Sequence, residues 1–111
     1  MRAFAAIALM ITAFGCSRSA EDQQTDQIRA QARERADAIT RHGDEVAKPF
    51  EQQAEALRGE AKQTGGYDGK RLQVQSDSLR EQAKLVHKQA TEQAGAVKEA
   101  ADAHVKALRS R

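Results

Sequence analysis

Tryptophan is absent from the sequence, and tyrosine, proline and cysteine each occur once. A lone thiol cannot close an internal disulfide, so no covalent staple supports the fold. Large apolar side chains are scarce as well. From Ser17 onward they make up roughly one residue in seven, a level at which a chain struggles to bury enough surface to offset its conformational entropy. Neither sign of charge dominates: 18 Lys and Arg face 16 Asp and Glu, a net charge of +2, which excludes a strong field toward nucleic acid. No apolar run approaches the ~20 residues that a permanent membrane-spanning helix needs.

Alanine fills much of the remaining apolar content. It favours helix strongly but buries little area, so helix forms locally while any core stays thin. The length allows one small domain and no second one.

After Arg2 the residues from Ala3 to Phe14 carry no charge, a positive start and an apolar stretch in the order of a secretory signal. As a helix it would reach about 18 Å, short of the ~30 Å hydrocarbon core, so it reads as cleavable. It ends in Thr12-Ala13-Phe14-Gly15-Cys16, and these residues resemble the lipobox of bacterial lipoproteins. That resemblance implies cleavage between Gly15 and Cys16, diacylglycerol on the Cys16 thiol and acylation of the new amino group. Ala13 stands where leucine is usual and Phe14 where a small residue is usual. Ala13 and Gly15 also satisfy the spacing of ordinary secretory cleavage, and a later cut after Ala20 is a further alternative. By similarity to enterobacterial sorting, Ser17 after the cysteine implies the outer rather than the inner membrane. The expected location is therefore the bacterial cell envelope, lipid-anchored and facing the periplasm. The organisation expected is a signal peptide over 1–15, a lipidated start and short tether over 16–19, and helical arms beyond.

Steps of three and four link Ile28, Ala32, Ala36, Ile39, Gly43, Val46, Phe50, Ala54, Leu57 and Ala61, which predicts a first helical arm over 20–64. Ser19 and Asp22 provide a start signal, and Gly65 a C-terminal one. Gly43 costs about 1 kcal/mol in a helix and Pro49 about 3, so this arm is expected to be kinked or broken near Gly43–Pro49, a bent helix rather than two because the stripe keeps phase across the region. Three glycines in Gly65-Gly66-Tyr67-Asp68-Gly69 predict a turn over 65–69. Over 70–111 the stripe resumes through Leu72, Ser76, Leu79, Ala83, Val86, Ala90, Ala94, Val97, Ala101, Val105 and Leu108. The fold class expected is all-α, an antiparallel two-arm helical hairpin resembling a coiled coil. The first stripe averages slightly more than 3.6 residues per turn, so no strict heptad is demanded. So thin a seam invites a second copy or a partner helix.

No spacing in the chain reads as an active site. His42, His87 and His104 have no second ligand at a zinc-like interval, and no metal or cofactor is expected. The glycine cluster lacks the lysine and hydroxyl residue of a phosphate loop, and there is no serine elbow, so neither an enzyme nor a small-molecule site is expected. Tyr67 either docks on a partner or covers the helix ends. Braun-type lipoproteins end in a lysine that joins peptidoglycan; with Arg111 in that place, no such linkage is expected. The run from Glu81-Gln82-Ala83-Lys84 to Glu99-Ala100-Ala101-Asp102 resembles, in composition, the helices of late-embryogenesis-type stress proteins. The expected function is a membrane-tethered envelope protein with a structural or protein-interaction role. The alternative is an amphipathic stress-protective or lipid-surface-binding protein, largely disordered in isolation.

Overall fold

The computed structural model describes residues 20–110, which form α1 (Ala20–Thr64) and α2 (Gly66–Arg109) with no strand among them. The helices have 45 and 44 residues, about 66 Å each, and pack antiparallel as a two-arm hairpin. Cross-helix pairs fix this orientation. Arg29 meets Asp102 toward the open end, Gly43 lies against Ala90 midway, and Ala54 bonds Ser76 nearer the tip.

The reversal is tighter than a turn over 65–69. Gly65 and Gly66 both have φ of 62°, a conformation that costs a side-chain-bearing residue and costs glycine little. The Gly65 N–H donates to the Ala61 carbonyl at 3.0 Å, and the Gly69 N–H donates to the Gly65 carbonyl at the same distance. Two glycines complete the change of direction, so Gly66–Gly69 are free to form the first turn of α2. The second arm thus starts at 66 rather than 70, with Asp68 placed against the positive helix end.

α1 does not break at Gly43–Pro49; it is one continuous helix. Pro49 supplies no N–H to the Glu45 carbonyl, but both residues are exposed and water can satisfy that oxygen. Gly43 is not a weak point. A Cβ built there would collide with the Ala90 methyl, so glycine permits the close approach of α2. Packing across the helices offsets the local helix cost.

Small residues form the seam. Thr25, Ala32, Ala36, Gly43, Ala47, Ala54 and Ala61 are buried on α1, with Gly69, Ser76, Ala83, Ala90, Ala94 and Val105 on α2. Thr25–Ala36–Ala47 and Ala32–Gly43–Ala54 each recur at eleven residues, which explains why the stripe exceeds 3.6 per turn. Gly69–Ser76–Ala83–Ala90 instead recur at seven, and the step from Ala94 to Val105 returns to eleven. The large apolar residues of the two stripes stand beside the seam and are only half-buried, apart from Val105, which is buried, and Val46, which is 40% exposed. Alanine methyls each contribute at most about 1 kcal/mol of transfer energy, so closeness of approach replaces bulk. The Ser76 hydroxyl adds a buried bond to the Ala54 carbonyl at 2.7 Å.

Candidate functional site

With successive residues about 100° apart around a helix, the positions flanking the seam fall into two unlike sets. On one flank stand Ile28, Ile39, Val46, Phe50 and Leu57 of α1, joined by Leu72, Leu79, Val86, Val97 and Leu108 of α2. The antiparallel arrangement brings both sets to the same side, where Ile39, Val46 and Val86 line one shallow groove and Ile28 and Val97 another. The rim of this flank is mostly uncharged. From Ala36 to Gly59, and from Leu72 to Leu108, it carries no Asp, Glu, Lys or Arg; Gln53, Gln75, Gln82, Gln93, His42 and His104 occupy the edge.

The opposite flank is ionic. Arg29 pairs with Asp102 at 3.7 Å, and Arg80 pairs with Glu55 at 3.8 Å. Every lysine from Lys48 to Lys106 lies on this flank or on the back of its helix. Such exposed pairs stabilise by about 0.2–1 kcal/mol each and so set register more than stability.

His87 is the most constrained group on that ionic flank. Its Nε2 is hydrogen-bonded to Glu51 Oε1 at 2.9 Å and its Nδ1 stands 3.1 Å from Asp44 Oδ1, an ion pair when the ring is protonated, tying α2 to two turns of α1. Ionised carboxylates only accept, so the arrangement favours the imidazolium form, in which both ring nitrogens carry protons. The hydrogen bond to Glu51 raises the His87 pKa above 6.5; desolvation opposes this, and the charges of Glu51 and Asp44 reinforce it.

Gly15 and Cys16 lie outside the described residues, as does Ser19. The three histidines do not converge: His42 and His104 are exposed on the uncharged rim, while His87 belongs to the ionic flank. Among the described residues, no three His, Cys, Asp or Glu side chains are placed to hold a metal ion. Tyr67 is 77% exposed at the tip, beside Val74 at 67%, and so does not cover the helix ends. The grooves are shallow: Lys48, Glu51, Gln52, Glu55 and Arg80 line one on the ionic flank, while Ile39, Val46 and Val86 line the more apolar one opposite. Sequence periodicity alone missed the Asp44–His87–Glu51 clamp, since it joins positions on two helices; the interval of seven between Asp44 and Glu51 was the available signal.

Among the described residues, no helix is long and apolar enough to cross a membrane. No protein-family model matches the chain, and no curated protein or solved structure is significantly similar to it.

Proposed function

We propose that this chain is a lipid-anchored protein of the bacterial envelope, acylated on Cys16, facing the periplasm and held at the outer rather than the inner membrane. In this reading it catalyses no reaction and takes no cofactor; the hairpin is a structural or protein-interaction element. The observation that carries the reading is Gly15-Cys16 directly after an uncharged run too short to span a bilayer. A hairpin with shallow grooves and one apolar flank is consistent with a docking role. Ser17 supports the outer-membrane choice.

One acyl chain holds a protein only marginally, whereas two or more hold it firmly, so a fully modified Cys16 makes release rare. Three residues, Ser17, Arg18 and Ser19, separate Cys16 from the start of α1, so the open end of the hairpin would stand near the bilayer and the tip about 60 Å away. Replacing Cys16 by Ser tests the anchor. The expected outcome is loss of acyl mass and a move from the membrane fraction to unprocessed or soluble material. Unchanged mass and fractionation would remove the lipid claim.

The apolar flank also gives some support to the second reading, an amphipathic protein that binds lipid surfaces. Surface-binding helices rim their apolar side with Lys and Arg, and here the lysines lie away from it. The first reading is therefore preferred.

A further inference from the structure

We propose that the uncharged flank is a self-association surface, on which a second copy of this chain packs across a two-fold axis to close a four-helix bundle. The inference names a partner for the proposed interaction role, but it stands on the flank itself and holds whether or not Cys16 is acylated.

Three observations support a second copy. First, both helices contribute equivalent rows, with Ile39, Val46 and Phe50 on α1 answered by Leu79, Val86 and Val97 on α2. A two-fold contact needs a surface complementary to itself, and a flank with matching rows meets that condition. Second, from Ala36 to Gly59 and from Leu72 to Leu108 the rim carries no charged residue: glutamines and two histidines border the flank, the cross-helix ion pairs sit on the far side, and Arg35 stands only toward the open end. A membrane surface or a charged partner calls for a charged rim, whereas self-pairing calls for a neutral one.

Third, the area is of the right size. A strip about 60 Å long and 10–15 Å wide covers on the order of 600–900 Å², against about 800 Å² per partner in a standard interface. The hairpin closes on its own seam but also gains from the addition. Eight of its nine buried hydrophobic residues are alanine, while the bulkier Ile, Leu, Val and Phe side chains stay partly in water until the flank is covered. In the bundle those side chains become the central layer.

The test uses the full chain. A photo-crosslinking residue at Val46 is expected to give an adduct of twice the single-chain mass containing only this chain's peptides, and one at Glu55 on the ionic flank is expected to give none. The protein extracted in mild detergent, at low protein-to-micelle ratio, should show twice the mass measured under denaturing conditions. Val46→Glu with Val86→Glu places unpaired carboxylates in the contact, and should weaken dimerisation by about a hundredfold or more while leaving helix content intact. Val46→Gln should weaken it less. A single-chain mass for the unaltered protein at tens of micromolar would overturn the proposal, as would a Val46 adduct to lipid or to a different protein, or a dimer that survives both glutamates. None of these readouts depends on acylation, and the fractionation test of the anchor does not depend on dimerisation.

Discussion

The two flanks of the hairpin share one seam and differ in nearly everything else. One is tied across the helices by Arg29–Asp102, Glu55–Arg80 and the His87 clamp; the other carries the large apolar side chains and a glutamine rim. Closing two helices onto each other requires only the seam, whose residues are small enough for near contact. The asymmetry on either side therefore contributes little to holding the hairpin shut. It gives the molecule one side made for water and another that gains from being covered.

Overfilling the seam separates its role from that of the flanks most sharply. Gly43→Leu should destabilise the hairpin by about 2–3 kcal/mol, because the new side chain meets Ala90 and its backbone where no space exists. At roughly 4–8 °C per kcal/mol, thermal denaturation should register this as a large drop in Tm. Ala90→Gly in the same chain should restore part of it. A substitution of similar size on the flank, such as Val46→Leu, should leave Tm nearly unchanged in the separated hairpin.

Smaller effects of opposite sign are expected from the two buried hydroxyls. Ser76→Ala removes the bond to the Ala54 carbonyl and should cost about 1 kcal/mol. Thr25 Oγ1 is buried without a hydrogen-bond partner, so Thr25→Val should stabilise by about 1 kcal/mol. Urea denaturation of the two variants would show the contrast, and equal shifts of one sign would contradict the seam as described.

The ionic flank should produce the smallest effect, distinguished by its pH dependence. The folded-state pKa of His87 lies above its ordinary 6.5, so its contribution is fully present below that value and is lost as pH rises through the raised pKa. Stability should therefore fall slightly as pH rises above His87's ordinary 6.5, and His87→Gln should flatten that segment of the profile. Glu55→Gln should cost only about 0.2–1 kcal/mol, with no matching pH signature.

Much of this architecture is legible in the residues alone. The stripes, the glycine reversal and the antiparallel pairing follow from spacing, because Ala32, Ala36, Ala54 and Ala61 recur at helical intervals and Gly65 ends the run. What spacing hides is the division of labour within a stripe. Ile39 and Val46 look like core and Gly43 looks like a defect, yet Gly43 is buried while Val46 is exposed, since the depth of a position depends on how near the other helix comes. Of the kink or break that helix propensity allows at Gly43–Pro49, the break is absent: α1 stays one helix because packing across the helices offsets the local cost. The reversal is shorter than the 65–69 that composition predicts, since composition does not reveal how many glycines a reversal uses. The candidate interaction flank could have been found by plotting charge around each helix, where the absence of lysine on one side is visible from the sequence.

The central claim is that two alanine-lined helices close on each other in the isolated protein. Spin labels replacing Arg33 and Lys98, which line one groove near the open end, report on it directly when placed in a Cys16→Ser background. Closed arms predict a narrow distance distribution within about 25 Å, from an interaxial spacing of 8–10 Å plus the label arms. A broad distribution beyond that range, or one approaching the ~98 Å of a single straight helix, would contradict the hairpin.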